Sequence, residues 1–356
     1  MAHLFEPLKI RDVELAHRIV VSPMCQYSCK DGLATDWHFV HLGSRAVGRA
    51  AAVIAEATAV TADGRISPQD LGIWTDAHID PLRRTFSFIA EQGAVPGIQL
   101  AHAGRKASTD RPWNGGKPIT PAEGGWTPIF APSALPFADG YQVPRALSVD
   151  EIAVIVAAFA AAARRAEAAG AKLIELHGAH GYLLHSFFSP ISNQRTDQYG
   201  GSFANRTRIA SEVVSAVRKV WPERYPLWMR ISATDWVEGG WSVEESIELA
   251  RMLKPMGVDL FDCSSGGNVH HAKIPVGPGY QVAFAERVRR EAGVLTGAVG
   301  MITDPAQADQ IIRSGQADVA ILARQFLREP YWPLLAARAL GQEIQWPLQY
   351  ERAKLK

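Results

Sequence analysis

The sequence predicts a single eight-stranded α/β barrel of the (β/α)8, or TIM-barrel, class, and three observations carry that expectation. Eight short runs of β-branched and aliphatic residues recur along the chain, at 19–22, 52–56, 96–100, 172–177, 227–232, 258–263, 294–299 and 318–322. Longer stretches with helical signals separate them, which is the pattern of βα units feeding a parallel sheet. No Gly-x-Gly-x-x-Gly triplet occurs, although an open dinucleotide-binding sheet would want one after an early strand.

The helices announce their ends. Ser148 with Glu151 and Ser242 with Glu245 are capping-box pairs, and Gly93, Gly170, Gly257 and Gly315 stand where helices should stop. Between the third and fourth strands the run 103–147 is rich in Pro, Gly and Trp. It is expected to be a loop excursion capping one barrel mouth. No repeat or shift of composition marks a second unit, so residues 1–356 are expected to form one domain, with 342–356 as a C-terminal tail.

Composition narrows the function. Lysine and arginine total 37 against 36 acidic residues, so no long-range field draws nucleic acid or an anionic membrane. The expected partner is a small molecule. No stretch reads as a membrane span, and Met1 to Ile10 lacks a basic, apolar leader. Cys25, Cys29 and Cys263 form neither paired CxxC motifs nor an even framework, which suits a reducing cytoplasm.

In a barrel, chemistry gathers where the strands end at their C-terminal side. The polar and small residues there are Ser22 to Tyr27, Ala57-Thr58, Gln99 with His102, His177 with His180, Arg230, Ser264 to Gly267, Gly300, and Ala323-Arg324. Singly each has an ordinary explanation: a buried thiol, a capping histidine, a structural ion pair. Their joint placement on one rim points to a site. Gly300 and Ala323-Arg324 close two late strands before helices, a frequent phosphate location in barrels, and one phosphate suits a mononucleotide. A metal hydrolase is the main competitor, but His38 and His41 fall on the first helix and His270-His271 in a loop. The His270-His271 loop has no nearby carboxylate set, and His177-Gly-Ala-His180 lacks the Glu of a zinc-binding helix, so no metal is expected.

Five segments carry a resemblance. They are Arg18 to Cys25, Glu56-Ala57-Thr58-Ala59-Val60, Gln99 to Lys106, His177-Gly178-Ala179-His180-Gly181-Tyr182-Leu183, and Asn193-x-Arg195-x-Asp197-x-Tyr199-Gly200-Gly201-Ser202-x-x-Asn205-Arg206-x-Arg208. With these the chain, from Leu4 to about Arg352, resembles the Old Yellow Enzyme family of FMN-dependent ene-reductases, in its thermophilic-like, xenobiotic-reductase subgroup. Ala323-Arg324 departs from the Gly-Arg of most relatives.

The resemblance implies FMN as cofactor and NADPH as hydride donor, with activated alkenes as substrates reduced by ping-pong kinetics. It implies that Ser22, Pro23, Met24, Cys25 and Ala57 border the flavin ring, that Gln99 bonds its pyrimidine edge and Arg230 its N1/O2 edge, and that Ala323 and Arg324 hold the phosphate beside Gly300. His177 and His180 would hydrogen-bond a substrate oxygen, with Tyr182 as proton donor, Cys25 as redox tuner and Tyr27 as a substrate-side hydroxyl. By the same resemblance Arg352 reaches the active site of a neighbouring subunit in a homodimer or homotetramer. An iron–sulfur relative would need a cysteine cluster, and a non-catalytic flavoprotein would be yellow without turnover.

Overall fold

The computed structural model describes residues 3–354. Eight parallel strands close into a barrel in chain order. They are β1 Ile19–Val21, β2 Ala52–Ala59, β3 Val95–Ala101, β4 Leu173–Gly178, β5 Leu227–Ser232, β6 Leu260–Ser264, β7 Leu295–Ala298 and β8 Val319–Leu322. A principal helix follows each: α1 Asp36–Val47, α2 Ile79–Glu91, α3 Val149–Ala168, α4 Arg208–Arg218, α5 Val243–Leu253, α6 Val282–Ala292, α7 Pro305–Arg313 and α8 Trp332–Ala339. The expected (β/α)8 barrel is the observed fold.

The predicted punctuation holds. Ser148 and Ser242 accept from the backbone N–H groups of Glu151 and Glu245, whose carboxylates return the bond to the serine N–H. Gly170 follows α3 at φ +95°, a left-handed turn that only glycine adopts without strain.

Two differences have physical causes. The second strand was expected to stop at residue 56 but runs to Ala59, because its pairing with β3 shifts register between Ala55 and Ala57. That bulge consumes Glu56 and lets the ladder resume. The second difference is an antiparallel hairpin, Leu8–Ile10 with Val13–Leu15, that the sequence reading missed. Three-residue strands are too short to show a period. Ile10, Val13 and Leu15 pack with Val20, Ile54, Leu173, Trp228, Leu260 and Ile321 in one buried layer. The hairpin therefore plugs the end of the barrel opposite the site.

The run 103–147 contains three short 3-10 turns and a two-residue parallel pairing, Phe130–Ala131 with Arg145–Ala146. The signature 193–208 is scaffold for the connection from β4 to α4. Asn193 donates to the carbonyls of Phe187 and Tyr199, each at 2.7 Å, and Arg206 bonds Phe188 O and pairs with Glu245. Among the described residues no helix is long and apolar enough to cross a membrane.

Candidate active site

Strand parity decides what faces the barrel interior. Side chains alternate along a strand, so the known faces of apolar residues assign the polar ones. On β4, Ile174 and Leu176 join the core between barrel and helices, while Leu173 belongs to the interior layer. Glu175 and His177 therefore point inward. By the same count Arg230 and Ser232 follow Trp228 on β5, Asp262 and Ser264 follow Leu260 on β6, and Ser22 follows Val20 on β1. The β2 bulge reverses the parity, bringing Ala57 opposite Gln99 and turning Glu56 outward to His38 of α1, at 2.9 Å.

Just above the apolar plug lies a polar layer that is almost wholly buried. Gln99 Nε2 donates to Glu175 Oε1 at 2.7 Å, Arg230 Nη1 donates to Ser22 Oγ at 3.0 Å, and Arg230 Nε lies 3.2 Å from Asp262 Oδ2. Glu175 and Asp262 are completely buried. Burial pushes the Glu175 carboxyl up to about 8, with the Asp262 charge adding to the rise and Arg230 opposing it. Burial raises Asp262 as well, again against Arg230.

On the rim above, His177 stands 5.2 Å from His180 and 4.8 Å from Tyr182, ring centre to ring centre, both edge-on. His177 Nδ1 accepts from Ala179 N–H at 3.2 Å. Burial, then Arg230, holds the imidazole well below its ordinary pKa, so the neutral ring carries its proton on Nε2. His180 is neutral for the same reasons, and its Nε2 lies 2.8 Å from Ser264 Oγ. Burial pushes the Tyr182 phenol well up, keeping it protonated.

Lys106, quoted in a motif but given no role from sequence, reaches the same place. Its ammonium donates to His180 O at 2.9 Å and Gly267 O at 3.0 Å and lies 5.2 Å from the Tyr182 ring centre. Burial lowers it to about 8. It fixes the His180 backbone, which sits at φ +61°. Cys25 is half-buried beside Tyr27, and desolvation, then Asp70 and Glu56, keeps its thiol protonated. The loop residue Trp113 packs edge-on against Tyr27 at 5.8 Å, so the 103–147 excursion does overlie this mouth. Pro23 and Met24 lie half-buried in the same β1 loop.

At the late strands a cavity of about 240 Å³ is lined by Arg230, Gly300, Ala323, Arg324 and Arg328. Gly300 has φ +123°, and a Cβ there would lie 2.9 Å from Gln281 Nε2. Arg324 has no acidic partner among the described residues.

The structure does not bring Arg352 into this constellation. It lies exposed in the 3-10 turn Leu348–Ala353, which contacts its own chain through Tyr350 and Tyr331, 5.9 Å apart. Leu355 and Lys356 of the expected tail lie outside the described residues. One cluster was not foreseen: Cys29, His38 and Glu56 place a thiol, an imidazole and a carboxylate within 4.8 Å of one another. Their mutual hydrogen bonds, with Gln26 N–H on Glu56, account for the grouping.

Residues 3–343 match the NADH:flavin oxidoreductase / NADH oxidase family. Over 351 residues the chain is 50% identical to an NADPH dehydrogenase of Geobacillus sp. (strain WCH70), covering 98% of each. Among solved structures it resembles morphinone reductase with a TM-score of 0.78 at 27% identity, over 97% of this chain and 91% of that one. It also resembles a 2-naphthoyl-CoA reductase with a TM-score of 0.85 at 26% identity. The chain spans about half of that protein, 52% of its length against 96% of its own.

Proposed function

The chain belongs to the NADH:flavin oxidoreductase / NADH oxidase family, the Old Yellow Enzyme family, and from that premise we propose that it is an NADPH-dependent ene-reductase acting on α,β-unsaturated carbonyl or nitro compounds. The observation that carries the proposal is the neutral, Nε2-protonated His177 beside His180 and Tyr182, in register on the neighbouring strand with a buried Arg230.

The residues present fit FMN. The 240 Å³ cavity joins Gly300, Arg324 and Arg328 to Arg230, a cationic end for one phosphate linked to a buried guanidinium for the ring. Ser22, Pro23, Met24, Cys25, Ala57 and Gln99 would border the ring, with Ala323 and Arg324 at the phosphate. When bound, FMN supplies a two-electron carrier that takes hydride from NADPH and delivers it to the β carbon of the alkene.

The chain's own groups do the rest. His177 Nε2–H donates to the substrate oxygen as negative charge builds on it. His180 joins after releasing Ser264, and catalytic hydrogen bonds commonly tighten only with substrate present. Tyr182 gives its proton to the α carbon, while Tyr27 and Trp113 wall the entrance. Donor and alkene use one site in turn, which makes the kinetics ping-pong. Incubation with NADPH and cyclohexenone should give cyclohexanone; NADPH oxidation with the alkene intact would contradict the proposal.

Cys25→Ala should keep FMN but shift its reduction potential and change the two half-reactions by different factors, since redox tuning and substrate contact are separate effects. An unchanged potential by dye equilibration would reduce Cys25 to packing. Arg352, exposed and charged at a chain end, is proposed to complete the site of a second copy in a homo-oligomer. Arg352→Ala should raise KM and leave FMN bound. A monomer with full activity, or a variant equal to wild type, would end that assignment.

A further inference from the structure

The polar layer beneath the proposed flavin site contains an arrangement that the reaction itself does not use. Gln99 is a buried carboxamide, 2% exposed, with one donor end and one acceptor end. Such a group has two orientations of nearly the same shape, and only its hydrogen-bond partners choose between them. Here the chosen partner is Glu175. The two residues face each other in register across β3 and β4, and Gln99 Nε2 meets Glu175 Oε1 at 2.7 Å. With its nitrogen committed to Glu175, Gln99 has its amide oxygen free for another partner.

The remainder of the layer reinforces that choice. Glu175 Oε2 has no hydrogen-bond partner among the described residues, and neither oxygen of Asp262 has one with good alignment. Asp262 is the acid whose charge acts on Glu175, and it is ion-paired to Arg230. The Glu175 oxygen that does have a partner is Oε1, which serves as the acceptor for Gln99.

Resting on the FMN reading above, we infer that Glu175 is a positioning residue: it locks the Gln99 carboxamide so that its oxygen accepts from a flavin ring N–H, and so sets the cofactor's affinity and reduction potential. Glu175 touches neither substrate nor cofactor in this account. Its effect passes entirely through Gln99. Residue 175 must then supply a hydrogen-bond acceptor at the right distance, and a negative charge there is not what matters.

Two conservative variants separate those requirements. Glu175→Gln keeps an amide oxygen as acceptor at the same reach and removes the ionisable group. Glu175→Asp keeps the carboxyl but withdraws it by one methylene, out of hydrogen-bond range of Gln99. The FMN reduction potential by dye equilibration and the FMN dissociation constant are measured for both, alone and combined with Gln99→Leu. Glu175→Gln is expected to match wild type. Glu175→Asp is expected to change the relative affinity for oxidised and reduced FMN about tenfold, roughly 30 mV for a two-electron couple, and to have no further effect in the Gln99→Leu background. Should Glu175→Asp fail to fold, Glu175→Met serves as the bond-breaking variant.

A potential unmoved by the bond-breaking variant, an equal shift in Glu175→Gln, or a shift that persists undiminished without Gln99 would each overturn the inference. Wild-type protein without FMN would instead defeat the flavin reading itself, before any variant is compared.

Discussion

Replacing both His177 and His180 with alanine should lower alkene reduction by at least about a hundredfold while leaving the protein folded and yellow. A single preorganised donor to a developing oxyanion is worth roughly 3–4 kcal/mol in the transition state. In the proposed mechanism His177 would supply one directly, because Ala179 N–H occupies its Nδ1 and leaves the Nε2 proton to donate. His180 is already bonded to Ser264 at 2.8 Å and in the proposed mechanism would have to exchange that partner for substrate, so His177→Ala alone should cost more than His180→Ala. Both rings are held neutral by burial, and the activity should therefore show no histidine titration between about pH 6 and 8. A yellow double variant with near-wild-type turnover would remove these residues from the chemistry.

The second large effect is on stability. Arg230→Met should destabilise the fold by about 3–5 kcal/mol at neutral pH, because one member of a buried charge cluster is removed and its partners stay behind. Asp262 and Glu175 are completely buried, and Arg230 is the cation that opposes the rise of both. The pH dependence has a definite sign. The Glu175 carboxyl rises in the fold from 4.5 to about 8, so across that window the folded state holds a proton that the unfolded chain has released. Stability therefore falls as pH rises from 4.5 toward 8, and falls more steeply in Arg230→Met. The variant should also lose FMN. Urea unfolding curves at several pH values measure the effect; a loss below about 1 kcal/mol, independent of pH, would show that the cluster is not an energetic unit.

The sequence made the barrel legible because its strands bury both faces. Runs such as 19–21, 52–55 and 319–322 stand out as unbroken apolar stretches, and the capping boxes at Ser148 and Ser242 mark helix starts by a local mechanism that needs no tertiary information. The site was harder. Looking for polar residues after each run finds Ser22 and His180, but Glu175 and Asp262 sit inside their runs, and only counting by twos from Leu173 and Leu260 turns them inward. Glu56 shows the limit of that count, since the bulge that reverses its side is visible only in the pairing with β3. The role of Lys106 depends on the carbonyls of His180 and Gly267, 74 and 161 residues away. No local pattern encodes such contacts. Arg352 lies beyond both kinds of reasoning on one chain, because the site proposed for it belongs to another copy.

The most direct test of the central claim is the visible spectrum of the purified protein, followed anaerobically through one cycle. The protein should be yellow with the absorption of oxidised flavin, should bleach when one equivalent of NADPH is added, and should regain its colour when one equivalent of cyclohexenone follows, with released FMN matching the protein in amount. A colourless protein, or a bleached one that the enone does not reoxidise, would contradict the assignment of this site to flavin-mediated alkene reduction.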